Sequence, residues 1–173
     1  MSEPLGTYIR DHLAGARLAL ETLSVMRDQH DDERFRNLAA ALFPEIEADD
    51  ATLHKISESI ASGPSMVKQA GGWLLEKAAR LKLGHSGSVS FELFESLELL
   101  ALGIQGKLSL WKALQVAAAQ DARLRGYDFD ELMRRAVAQH GQVEEERLRL
   151  AETVFVPNLM GHRAETNSTA RNS

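Results

Sequence analysis

The sequence predicts an all-α four-helix bundle with a long helical crossover between the second and third helices. Three observations point there. Four long stretches repeat apolar side chains at spacings of three and four, the period of a helix with one buried face. The break between the first two stretches is short and polar, which favours antiparallel neighbours. The break between the second and third is long and holds an amphipathic helix of its own, so it can set those two helices parallel. No βαβ alternation, internal repeat or glycine-rich phosphate loop interrupts this pattern.

The first helix spans about residues 5–27, with Leu5, Ile9, His12, Ala16, Ala19, Leu23 and Met26 on one face. Asp28-Gln29-His30-Asp31-Asp32 turns the chain. The second runs over about residues 33–61 and puts Phe35, Leu38, Leu42, Ile46, Asp49, Leu53, Ile56 and Ile60 in phase. Pro44 lies inside it and removes a backbone hydrogen bond, a cost of about 3 kcal/mol in an ordinary helix. The apolar phase continues across Pro44, so the sequence predicts a kinked helix, not two separate ones.

Ser62-Gly63-Pro64-Ser65 ends that helix and opens the crossover, residues 62–89. Its own helix, about residues 65–82, turns Val67, Ala70, Trp73, Leu74, Ala78 and Leu81 inward, with Gly71-Gly72 weakening its middle. The third bundle helix, about residues 90–119, is the most apolar, with Phe94, Leu97, Leu100, Ala101, Ile104, Leu108 and Trp111 on a wide face. Asp128 and Glu131 have the spacing of a capping box for the fourth, about residues 129–155. That helix turns Phe129, Met133, Ala136, His140, Val143, Arg147, Leu150 and Val154 to one side, and Pro157 stops it. The bundle domain is thus expected over residues 1–157. A tail of 158–173 has almost nothing to bury and is expected to be disordered.

The chain of 173 residues suffices for one domain with a sizeable core and is short for two. Its 44% hydrophobic and 26% charged residues are those of a soluble globular protein. With no cysteine, disulfides, thiolate metal sites and cysteine nucleophiles are excluded, which fits a reducing cytoplasm. Arg10, Asp11, His12 and Arg17 interrupt any signal-peptide apolar region. The longest apolar run falls far below the roughly 20 residues needed to span a bilayer. A net charge of −5 gives no general attraction to nucleic acid or anionic membranes. The expectation is a cytoplasmic protein with neither as a partner.

Chemistry is concentrated on the inward faces. His12, Asp49, His140 and Arg147 fall on apolar stripes, and Glu98 is the only charge in Leu97-Glu98-Leu99-Leu100-Ala101-Leu102-Gly103-Ile104. Glu144 follows His140 by one turn. Ionisable groups in a core are costly unless paired, hydrogen-bonded or bound to metal. His12, Asp49, Glu98, His140 and Glu144 therefore form a candidate carboxylate–histidine metal set, suited to iron, manganese or zinc. A carboxylate-bridged dimetal bundle uses Glu-x-x-His pairs, because residues three apart share one helical face. The residues three before the six histidines are Ile9, Arg27, Ala51, Lys82, Val137 and Leu159, so that pair is absent. Arg147 supplies another way to neutralise the carboxylates, through a structural polar network that needs no metal.

Other residues have plainer readings. Glu92 and Glu95 belong on a solvated face, and Trp73 and Trp111 at helical spacing read as core. Gly103 and Gly106 read as close helix packing beside Trp111, and Lys107 as the partner of a carboxylate. The serines near His85 form no nucleophile–base constellation.

Certain words of the sequence carry a resemblance. Asp11-His12-Leu13-Ala14-Gly15-Ala16, the acidic Glu45-Ile46-Glu47-Ala48-Asp49-Asp50, Trp73 followed by Glu76-Lys77, and the run Leu97 to Lys107 with Trp111 resemble a bacterial group of uncharacterised ferritin-like four-helix bundle proteins. The resemblance covers about residues 5–155. It implies the ferritin-like fold with its crossover and transfers no activity, since the ferritin ligand pattern is missing.

Three functional readings follow. The first is a non-catalytic bundle with an interior polar network of His12, Asp49, Glu98, His140, Glu144 and Arg147. The alternative is a metal-binding bundle, for metal handling or oxidase-type activity. The third is a homo-oligomeric interaction scaffold built through helix faces.

Overall fold

The computed structural model describes residues 3–61 and 89–156. Among these residues there are four long helices, one 3-10 turn and no strand. They are α1 (Glu3–Gln29), α2 (Glu33–Ile60), α3 (Val89–Ala118), the 3-10 turn Ala122–Leu124, and α4 (Phe129–Phe155). The expected crossover over 62–88, including Trp73, and the expected tail over 158–173 lie outside the described residues. Among the described residues no helix is long and apolar enough to cross a membrane.

Each helix begins and ends where local chemistry favours it. Asp32 caps α2 by accepting from the Arg34 backbone N–H at 2.9 Å. The preceding turn is tied by Arg36, whose Nη1 donates to the carbonyls of His30 and Asp31, each at 2.7 Å. Asp128 caps α4 by accepting from the Glu131 N–H at 3.0 Å. The Glu131 carboxylate binds Arg134, so it serves as an i,i+3 ion-pair partner. Helix α2 is unbroken through Pro44. Pro44 faces solvent, and so does Ala40, whose carbonyl loses its intrahelical donor, so water can take that donor's place.

Packing is densest between α1 and α2 and between α3 and α4. Contacts at several levels fix the directions. Arg34 approaches Glu146 at 3.5 Å, Gln139 binds Glu45 at 3.0 Å, and Arg123 donates to the Ile60 carbonyl at 3.3 Å. Helix α2 therefore runs antiparallel to α4. Gln115 binds Asp130 at 2.9 Å at one end of the α3–α4 pair, and Phe94 meets Phe155 edge-on at 5.0 Å at the other. These two are antiparallel as well, so α2 and α3 run in the same direction.

The core gathers along the faces the sequence marks. In α2 the buried set is Phe35, Ala39, Leu42, Ile46, Asp49, Leu53, Ile56 and Ile60, which departs from the expected stripe only in placing Ala39 inward instead of Leu38. All seven residues expected inside α3 are buried, joined by Leu93, Leu110 and Leu114. Helix α4 is rotated from expectation. Leu132, Ala136, Gln139 and Val143 are buried, while Met133 and His140 sit on the flank. In α1 only Ile9, Leu23 and Met26 are buried. Its middle, from His12 to Ala19, faces a cavity where the small Gly15, Ala16 and Ala19 leave space.

Candidate functional site

Helix α2 delivers one carboxylate into the bundle interior. Asp49 is 1% exposed, and it is held from two directions. Lys107 of α3 donates from Nζ to Oδ2 at 2.5 Å, and Arg135 of α4 donates from Nη2 to Oδ1. Gln139, which is 0% exposed, closes the network. Its Oε1 accepts from Lys107 at 2.5 Å, and its Nε2 donates to Glu45 at 3.0 Å and to Asp49 at 3.4 Å. Two cations and two carboxylates thus balance in charge around one amide, the condition under which buried ions are tolerated, while the Arg135 Nε–H has no partner among the described residues. Burial lowers the Lys107 pKa, with Asp49 pulling the other way.

A second cluster lies farther along α4. Arg147 grips Glu144 through Nε at 2.8 Å and Nη2 at 2.6 Å, and reaches Glu98 at 3.6 Å. Its guanidinium also lies over the Phe94 ring, 5.2 Å from the centroid. Arg147 is 19% exposed and Glu98 49% exposed, so Glu98 is a flank residue and not the interior charge its apolar run predicts. The hydrogen bond from Arg147 holds the Glu144 carboxyl below its usual range, and His140 nearby contributes in the same direction.

His12 belongs to neither cluster. It lines the cavity between α1, α2 and α3, with its ring edge-on to Tyr8 at 4.7 Å. Burial lowers its pKa against the opposing charge of Asp11.

The structure therefore divides the sequence-nominated residues among three places: Asp49 in the first cluster, Glu98, Glu144, His140 and Arg147 around the second, and His12 at the cavity. Gln139 and Arg147 lie eight residues apart on one helix, about 12 Å along its axis. Metal donors must converge to about 2.0–2.2 Å from a common ion, so residues at those two levels cannot share one. Among the described residues no three histidine, aspartate or glutamate side chains group so as to hold a metal. Asp49 and Glu144 already have cationic partners. The described residues therefore do not bring His12, Asp49, Glu98, His140 and Glu144 together as one metal site.

Sequence reasoning assigned Lys107 a carboxylate partner, and the structure supplies Asp49. It missed Arg135, Gln139 and Glu45. Gln139 and Arg135 each lie one residue from the expected stripe of α4, next to His140 and Ala136, and a slightly different helical phase, centred on Leu132 and Val143, would have found them. Among the described residues, no helix packs closely on Gly103 or Gly106. A Cβ at Gly103 would meet nothing within 4 Å, and one at Gly106 would meet only His12 Cε1, at 3.9 Å. Comparisons with protein-family models, curated proteins and solved structures find no match for this chain.

Proposed function

We propose that this protein is a non-catalytic helical bundle of ferritin-like topology, a cytoplasmic binding or interaction module whose interior charges specify how its helices pair. The observation that carries this reading is the engagement of Asp49, the one carboxylate buried at the centre of the described bundle. Asp49 is held by Lys107 and Arg135, and Glu144 farther along α4 by Arg147, so neither is a free carboxylate for acid–base work or metal ligation. The ferritin-like topology draws support from the common direction of α2 and α3.

Elemental analysis tests this reading directly. Protein purified without chelator, then incubated with iron, manganese or zinc and desalted, is expected to retain far less than one metal per chain. Near-stoichiometric metal that disappears in His140→Ala or Asp49→Asn would overturn the reading in favour of a metal-handling bundle.

A further inference from the structure

The cavity walled by α1, α2 and α3 has a volume of ≈ 410 Å³. That falls within the roughly 300–1,000 Å³ of small-molecule sites. Its walls are mostly aliphatic, with Ile46, Leu53, Leu100, Ile104 and Trp111 among them. The space exists because α3 carries glycine at two positions where nothing demands it. Each glycine in a helix interior costs about 1 kcal/mol relative to alanine. Neither position has the backbone conformation that excludes a side chain, and neither is crowded enough to forbid one. Packing among the described helices does not account for these glycines, whereas an open cavity does.

Polar groups without partners among the described residues border this space from two helices. On α1 the imidazole of His12 approaches Gly106, and its nitrogens make no hydrogen bond with any described residue. Trp111 is fully buried, and its indole Nε1–H has no partner. Buried donors are normally satisfied, and one left unpaired costs about 1–3 kcal/mol. An oxygen acceptor on a ligand is the complement of an imidazole N–H. Charge narrows the class further. Lys107, the one lysine or arginine among the described lining residues, is already engaged by Asp49, so an anionic ligand finds no free counter-charge there.

We infer that the α1–α2–α3 cavity is a binding site for an uncharged, predominantly apolar small molecule carrying a carbonyl or similar oxygen acceptor, with His12 as its polar contact.

The test uses the full chain and propionyl-dimethylaminonaphthalene, a neutral naphthyl ketone whose emission moves to the blue in apolar surroundings. Titration is expected to show saturable binding at one site per chain. Gly103→Leu fills the open space at its own Cβ and is expected to weaken binding more than tenfold while the helical circular dichroism is unchanged. Gly106→Val occupies the neighbouring turn and serves as the second variant should the first unfold. His12→Phe keeps the ring and deletes the hydrogen bond, and is expected to weaken binding about threefold to tenfold. Anilinonaphthalene sulfonate, an anion of similar size, is expected to bind at least tenfold more weakly than the ketone. Absence of saturable binding, full affinity in a folded glycine variant, or equal affinity for the anion would each overturn the inference.

Discussion

Asp49 illustrates how one side chain can hold three helices in register. It extends from α2 to a lysine on α3 and an arginine on α4, and its removal would unpair the partly exposed Arg135 and leave Lys107, whose side chain is 14% exposed, without its carboxylate. Breaking a buried pair of this kind costs about 3–5 kcal/mol. Asp49→Ala is therefore expected to lower the urea unfolding midpoint by far more than Arg147→Ala, whose partly exposed pairs contribute about 1 kcal/mol or less. Titration adds a separate signature. The His12 pKa is lowered in the fold, so the unfolded chain takes up that proton at higher pH than the native protein does. Stability from this group is complete above about pH 6.5 and declines as pH falls from there toward the folded value. His12→Gln is expected to flatten urea midpoints measured between about pH 7.5 and about pH 5.5. Glu144 acts lower on the scale, since its depressed pKa loses its contribution only as pH falls below the ordinary value of 4.5 and through the folded one.

At the scale of elements, helix boundaries follow from caps and turn chemistry. Asp128→Ala removes the side-chain acceptor at the start of α4 and is expected to cost about 1 kcal/mol in thermal or urea unfolding. Gly141→Ala should have the opposite sign, because a Cβ there meets nothing within 4 Å and glycine weakens a helix interior by about 0.5–1 kcal/mol. Much of this level was legible in the sequence. Helix α2 reads almost residue for residue, since strong apolar side chains mark every turn of its buried face. Helix α4 does not, because it is amphipathic with few large apolar residues, and one step of phase exchanges Gln139 for His140. A glutamine on such a helix looks like surface until the partners facing it from α2 and α3 are known. The α1 stripe was read correctly in phase, but small residues on it meant space where packing was expected.

For the molecule as a whole, the charge network separates stability from specificity. Replacing Asp49, Lys107, Arg135 and Gln139 together by leucine and methionine removes both the desolvation cost and the attraction. Such exchanges are often neutral or stabilising by about 1–4 kcal/mol. The expected outcome is an unchanged or higher urea midpoint with broadened lines and narrowed amide dispersion in nuclear magnetic resonance spectra, as helix pairing loses its fixed partners. Sharp, native-like spectra from that variant would remove the specifying role. The sequence nominated a polar interior but not its pairing, because partner choice depends on the relative rotation of helices far apart in the chain.

The sparse burial along α1 has a consequence for motion. Opening free energy scales with the apolar surface that must be uncovered, and α1 buries Ile9, Leu23 and Met26 and partly buries Leu5, Tyr8, Leu13 and Leu20, while its middle lines the cavity. Amide protons of α1 should therefore exchange with solvent by a local detachment that leaves α2, α3 and α4 assembled. Hydrogen-exchange mass spectrometry would show this as an α1 protection factor well below the global unfolding limit. Filling the cavity, by a side chain or a ligand, should raise that factor selectively, making α1 the element that reports occupancy.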